Sequence, residues 1–115
     1  MRKIPTHAEL TTKLLQDAAQ FFRRLGGQNN AIKQDMDNNA AIFDQMAGLM
    51  SEQPEGESGG QLHRDLAAKL LNEAATFFRS LAAENEPLAE QMIENAKAYE
   101  QMAIRVANDP LGVLE

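Results

Sequence analysis

The chain has 115 residues, too few for two independent hydrophobic cores, so a single domain over residues 1–115 is predicted. It contains no cysteine, which excludes disulfides and thiolate metal sites, and its net charge of −6 disfavours nonspecific binding to nucleic acid or anionic membranes. Aromatic residues are scarce (5%) and unbranched side chains are abundant, so the predicted fold class is all-α.

The N-terminal segment, residues 1–7, carries positive charge but is not followed by an apolar run of signal-peptide length. No other stretch approaches the roughly 20 apolar residues that a membrane-spanning helix needs. Together with the absence of cysteine, this pattern predicts a cytoplasmic protein that does not act in a membrane.

The two halves of the chain resemble each other when the sequence is shifted by 56 positions. Between residues 7 and 56, 20 of 50 positions are identical to the residue 56 places later, and the match needs no gap. The longest shared runs are residues 13–15 with 69–71, residues 21–23 with 77–79, and residues 45–47 with 101–103. This pattern predicts two tandem, duplicated α-helical hairpins. We call two residues equivalent when they lie 56 positions apart.

The first predicted helix opens with Thr6-x-x-Glu9, a capping-box pattern, and is broken by Gly26-Gly27-Gln28-Asn29-Asn30. Its apolar residues recur at helical spacing and cover about half of the helix circumference. Such a face is wide enough to contact two neighbours in a bundle, or one neighbour and a binding partner.

The second helix of each half carries an apolar stripe whose spacing alternates between four and three residues, as in helices that pack at shallow angles. The stripe consists of Ile32, Met36, Asn39, Phe43, Met46 and Met50 in the first half, and of Leu88, Met92, Asn95, Tyr99, Met102 and Val106 in the second. Because Asn39 and Asn95 fall within it, a buried polar pair is predicted. Each amide bonds a neighbour or water, fixes register and oligomeric state, or contacts a ligand.

The first helical hairpin is predicted over residues 7–51, a polar linker over 52–60, and the second hairpin over 61–109. Short loops between helices of about 20 residues force antiparallel neighbours. The predicted architecture is therefore an antiparallel up-down-up-down four-helix bundle, and packing against a second chain is the alternative.

No motif for catalysis, metal binding or cofactor binding is present in the sequence. His7 and His63 lie near predicted helix starts without a Glu-x-x-His pattern, so they are predicted to be solvated or capping residues. The acidic residues form no convincing carboxylate pair for acid–base chemistry, and no glycine-rich phosphate loop occurs. We therefore expect no enzyme activity, no cofactor and no metal.

The leading functional hypothesis is a noncatalytic protein–protein interaction module, acting as a small adaptor, assembly factor or regulator and forming a homodimer. The predicted partner-binding residues are Leu15, Phe22, Arg23, Leu71, Phe78 and Arg79. Aromatic side chains concentrate at interaction hot spots, and the two arginines are expected to form a polar rim. Core packing is the default interpretation of the two phenylalanines, because both follow the apolar stripe of their helices, and the partner surface is the alternative to it.

The alternative function is that of an RNA-binding regulator that uses the face of helices 1 and 3. The contacts would come from Lys13, Arg23, Arg24, Lys69 and Arg79. The negative net charge and the acidic residues between these positions argue against this function, so nucleic acid is not the predicted partner.

Overall fold

A computed structural model of the protein describes residues 4–113, which contain four α-helices and one short β-hairpin. The helices are α1 (His7–Gln28), α2 (Lys33–Glu52), α3 (His63–Glu84) and α4 (Ala89–Asn108). The strands β1 (Glu57–Ser58) and β2 (Gln61–Leu62) join α2 to α3, and a 3-10 turn at Glu86–Leu88 precedes α4. All four helices begin and end at equivalent positions, so the two halves have the same element boundaries.

The helices form an antiparallel up-down-up-down bundle, which confirms the predicted fold class. Most helix–helix contacts lie within a hairpin, between α1 and α2 and between α3 and α4. The two hairpins meet through fewer contacts, made by α1 with α4, α2 with α3, and α1 with α3. Within residues 4–113, no helix is long and apolar enough to cross a membrane.

Local sequence signals set the helix ends. The backbone N–H of Glu9 donates to the Thr6 hydroxyl and the Thr6 N–H donates to the Glu9 carboxylate, each over 3.1 Å, which confirms the capping box. Pro87 lies in the first turn before α4, where a missing N–H costs nothing. In the predicted linker, Gly59 and Gly60 adopt φ values of +57° and +82°, which close the β1–β2 hairpin with a two-residue turn.

The buried stripe of α2 and α4 differs from the predicted one at its centre. Asn39 is exposed and Asn95 is only half-buried, so the predicted buried polar pair is wrong. Ala40 and Ala96 occupy the seam instead and are fully buried. The two spacings, 36–39–43 and 36–40–43, fit a heptad equally well, and the smaller alanine lets neighbouring backbones approach without burying an amide.

An aromatic cluster fills the middle of the bundle. Phe22 packs edge-to-face against Phe43, with ring centroids 5.1 Å apart, and the equivalent pair Phe78 and Tyr99 repeats this distance. The cross-hairpin pairs repeat in the same way, because Phe21 lies 5.3 Å from Phe78 and Phe22 lies 5.3 Å from Phe77. The hairpins are thus related by an approximate twofold axis, and tilted aromatic contacts hold them together.

Tyr99 links the two hairpins by a hydrogen bond in addition to ring packing. Its hydroxyl donates to the backbone carbonyl of Leu14 over 2.8 Å, from α4 to α1. Burial raises the pKa of Tyr99 above its usual value, and the charge of Asp17 adds to this effect. Phe43 is the equivalent residue and lacks this hydroxyl.

We expect the Tyr99→Phe variant to be less stable than wild type by about 1 kcal/mol at neutral pH, through loss of this hydrogen bond. This difference in the free energy of unfolding should shrink and then reverse as pH rises past 10.0, the ordinary pKa of tyrosine. The unfolded chain ionises there while the folded phenol stays protonated, so wild type loses about 1.4 kcal/mol per pH unit from this group. Urea unfolding at several pH values measures the crossover.

The same prediction has a spectroscopic control, since Tyr99 is the one tyrosine of the chain and there is no tryptophan. Tyrosinate absorbance therefore reports this side chain alone. An ionisation at the free-tyrosine pH in the folded protein would contradict the buried, bonded hydroxyl.

Thr11 is a fully buried polar residue in α1. Its hydroxyl oxygen has no hydrogen-bond partner among residues 4–113. The equivalent residue, Ala67, is also fully buried, so the second hairpin has an apolar side chain at this position. An unpaired buried hydroxyl is destabilising, and threonine is a poorer helix former than alanine.

Replacing Thr11 with alanine is therefore expected to raise the free energy of unfolding by about 1 kcal/mol. Removing the unpaired hydroxyl and introducing a better helix former stabilise the protein by more than the loss of one packed methyl group destabilises it. Chemical denaturation followed by circular dichroism measures the change. The matched variant Ala67→Thr should have the opposite effect. A loss of stability in Thr11→Ala would mean that the hydroxyl is satisfied in solution.

The chain ends close the bundle in the same way as the β-hairpin does. Thr6 pairs with Val113 in an isolated antiparallel bridge, and the equivalent pair is Leu62 with Glu57. The backbone N–H of His7 donates to the Gly112 carbonyl over 2.7 Å. The equivalent bond from His63 to Gly56 measures 2.9 Å. Each hairpin therefore begins on the segment that ends the other.

Candidate functional site

The predicted apolar partner-binding residues lie in the core. Leu15 and Leu71 are fully buried, and Phe22 and Phe78 are each 3% exposed. The prediction of an accessible surface at these four residues is therefore wrong, and the core position is correct. The wide apolar face of α1 is covered by three helices, because α1 contacts α2, α3 and α4.

Arg23 and Arg79 are exposed, as predicted, but each is engaged in an ion pair between the helices of its own hairpin. Arg23 binds Asp44, and Arg79 binds the equivalent residue Glu100. The second pair is bidentate, with donor–acceptor distances of 3.0 Å and 2.7 Å. Its hydrogen bonds lower the pKa of Glu100 and raise that of Arg79. Both arginines thus brace a hairpin.

These ion pairs also weaken the RNA hypothesis. Two of its five proposed contacts have their charge compensated by a neighbouring carboxylate. The other three are Lys13, Arg24 and Lys69. Lys13 and Lys69 line two different clefts of the bundle, and Arg24 lines a third, so these cations do not form one continuous basic strip.

Two equivalent grooves run along the seams where the hairpins meet, and we name them by their helices. The α1/α4 groove is lined by Leu10, Lys13, Leu14, Ala98, Gln101, Met102 and Arg105. The α2/α3 groove is lined by Ile42, Gln45, Met46, Leu49, Leu66, Lys69, Leu70 and Glu73. Their volumes are about 260 and 250 Å³. The approximate twofold axis relates one groove to the other.

The grooves exist because the hairpins contact each other less closely than the helices within a hairpin do. The floor of each groove is a leucine pair from one hairpin and a methionine from the other, Leu10, Leu14 and Met102 in the α1/α4 groove. Ile42 extends the α2/α3 floor and is 52% exposed. These apolar atoms face solvent in a concave strip, which is a common feature of interaction surfaces.

Two polar residues on the rim of each groove are the same in both halves. Lys13 and Gln101 are identical to the equivalent residues Lys69 and Gln45, and all four are exposed. Core packing does not require identity at exposed positions, so their agreement points to a role at the surface. The grooves differ at their ends, where Arg105 in one corresponds to Leu49 in the other.

Sequence reasoning missed the grooves, although it places Leu10, Leu14 and their equivalents on the apolar face. The available signal was the identity of exposed residues between the halves at Lys13 and Gln45. No group of three or more histidine, aspartate or glutamate side chains placed to hold a metal occurs within the described part of the chain.

No known protein-family model matches the chain, and comparisons with curated proteins and with solved structures likewise found no match.

Proposed function

We propose that the protein is a noncatalytic, cytoplasmic protein–protein interaction module, a small adaptor, assembly factor or regulator, that binds partners through its two equivalent grooves. The observation that carries this proposal is the pair of solvent-facing apolar grooves with identical exposed rim residues, Lys13 with Lys69 and Gln45 with Gln101. Because the grooves are equivalent, one molecule binds two similar segments or one symmetric target.

An amphipathic helix is the proposed occupant of each groove, and the helix bound in the α1/α4 groove carries acidic residues on its polar side. A volume near 250 Å³ is small for a drug-sized ligand but accommodates apolar side chains spaced along a helix. Lys13 and Arg105 flank the α1/α4 groove, and neither forms an ion pair within residues 4–113. Acidic residues on the partner complement these two cations.

The test is site-specific photo-cross-linking in nuclease-treated host lysate. A photoreactive amino acid replaces Gln45 in one variant and Gln101 in another, because both residues are exposed and line a groove. A third variant carries it at Gln20, which is exposed on α1 but lines neither groove. We expect cross-links from both groove positions to amphipathic helical segments, which are acidic at Gln101, and none from Gln20.

A matched pair of substitutions tests the same surface without a probe. Ile42 and Ile104 are both exposed, at 52% and 64%, but only Ile42 lines a groove. Ile42→Ser should weaken binding of the cross-linked segment at least roughly tenfold, about 1.4 kcal/mol, while Ile104→Ser leaves it unchanged.

Three results would contradict the proposal. Equal cross-linking from Gln20 would place the contact elsewhere, and nuclease-sensitive capture would favour the RNA-binding alternative. Cross-links from the groove positions to the chain itself would identify a second copy as the occupant. Sedimentation of the purified protein then distinguishes a homodimer from a monomer.

A further inference from the structure

A third concavity lies at the end of the bundle where the two helix corners meet. It has a volume of about 530 Å³, within the range of small-molecule sites. Its apolar floor is formed by Phe21, Leu25, Leu81, Leu88 and Met92. Its polar wall is formed by Arg24, Gln28, Asn85, Gln91 and Asn95. This end cavity shares no lining residue with either groove.

Arg24 is the one charged residue among those that line the end cavity. It forms no ion pair within residues 4–113, whereas its neighbour Arg23 is paired with Asp44. Four amide side chains accompany it, and each can donate as well as accept hydrogen bonds. A guanidinium with amide donors is suited to bind a carboxylate, and in a protein of net charge −6 this local positive charge is unusual.

The residues equivalent to its lining show that the positive charge is specific to this cavity. Every apolar lining residue has an apolar equivalent, and Asn85 and Asn95 have asparagine equivalents. Only three lining residues change type: Arg24, Gln28 and Gln91 correspond to Ser80, Glu84 and Asp35. The lining residues of the end cavity thus have a formal charge of +1, whereas the equivalent residues have a formal charge of −2. Both sets have the same apolar character.

We propose that the end cavity binds a small amphipathic carboxylate, whose apolar tail packs on Phe21, Leu81 and Met92 and whose carboxylate is bound by Arg24. The apolar floor favours the tail through burial, and the guanidinium provides charge-assisted hydrogen bonds to the head group. Gln28 and Gln91 flank the head group, and their neutrality is required, because the equivalent Glu84 and Asp35 would repel an anion. This site is independent of the two grooves.

The probe is decanoate, used below its critical micelle concentration and compared with decanol, which has the same tail but no charge. Isothermal titration calorimetry should show decanoate binding at least roughly tenfold more tightly than decanol. Backbone NMR shifts of the full chain should change at Gln28, Asn85 and Gln91, and not at the groove residues Lys13 and Gln45.

Arg24→Ser introduces the residue that the second half has at this position, on an exposed site where the fold tolerates it. It should weaken decanoate binding roughly tenfold to a hundredfold and leave decanol binding unchanged. Lys13→Ser, which removes a cation from a groove, should change neither. A thermal melt of each variant confirms that the bundle is intact.

The proposal is overturned if decanol binds as tightly as decanoate, or if Arg24→Ser binds decanoate like wild type. It is also overturned if the NMR shifts fall in the grooves, where the apolar strips alone would attract an aliphatic chain. Shifts at the end cavity that are lost in Arg24→Ser but not in Lys13→Ser support it.

Discussion

Phe22→Ala is expected to lower the free energy of unfolding by about 3–5 kcal/mol, the range for truncating a buried aromatic side chain. Phe22 is 3% exposed and packs edge-to-face against Phe43 within its hairpin and against Phe77 in the other. The substitution removes both contacts and leaves a cavity at the point where the hairpins meet. Urea denaturation followed by circular dichroism measures the loss.

The equivalent variant Phe78→Ala should show a loss of similar size, because Phe78 has the same exposure and the same pattern of ring contacts. The double variant should lose less than the sum, since both rings belong to one cluster through Phe21 and Phe77. If Phe22→Ala instead left stability unchanged within about 0.5 kcal/mol, as surface substitutions do, the residue would be a surface contact and not part of the core.

Most of the fold could be predicted from the sequence, because the signals that define it are local. The capping box at Thr6 and Glu9, the corner that begins at Asn29 and the helical spacing of apolar residues each depend on neighbours along the chain. The linker is the least complete prediction, since a polar segment gives little indication that residues 57–62 form a paired hairpin.

The position of the site depends on packing between hairpins, which local patterns do not specify. The sequence predicts a wide apolar face on α1, but its width alone does not distinguish a third helix from an external partner. In this bundle α3 contacts that face and buries Phe22. The apolar surface that remains exposed lies instead at the seams between the hairpins, around Leu10 and Ile42. Candidate binding residues therefore follow from how two similar hairpins meet.

The error at Asn39 has the same origin. A heptad spacing accepts either Asn39 or Ala40, and the choice depends on how closely the neighbouring helix approaches. Asn95, the equivalent residue, lines the end cavity, where its amide serves a polar wall rather than the core. Its predicted role in register is replaced by a proposed role in ligand binding.

Some surface features of the molecule recur in both halves and others do not. The two proposed binding activities, at the grooves and at the end cavity, differ in this respect. Each groove retains a lysine and a glutamine on its rim, which suits two similar partner segments. The end cavity differs in charge from its equivalent set, which suits one ligand per chain. Arg24→Ser and Ile42→Ser should accordingly affect different ligands without affecting each other.

His63 differs from His7 in burial although both begin a helix at equivalent positions. His63 is 1% exposed, so the prediction that it is solvated is wrong, whereas His7 is half-buried. The Nδ1 atom of His63 lies 2.8 Å from the carbonyl oxygen of Gln53, which only accepts, so Nδ1 carries the proton. The Nε2 atom then accepts from the Ser58 hydroxyl, also at 2.8 Å. His7 makes the equivalent carbonyl contact with Asp109, at 2.8 Å.

We therefore expect His63→Ala to lower the free energy of unfolding by about 2–4 kcal/mol and His7→Ala by about 1 kcal/mol. His63→Ala loses two hydrogen bonds and leaves a buried void beside Gly56, which lies so near the imidazole ring that a β-carbon there would be only 3.0 Å from it. Chemical denaturation of both variants at one pH gives the comparison. Equal losses would mean that the β1–β2 segment does not enclose His63 in solution, because enclosure is the main difference between the two equivalent rings.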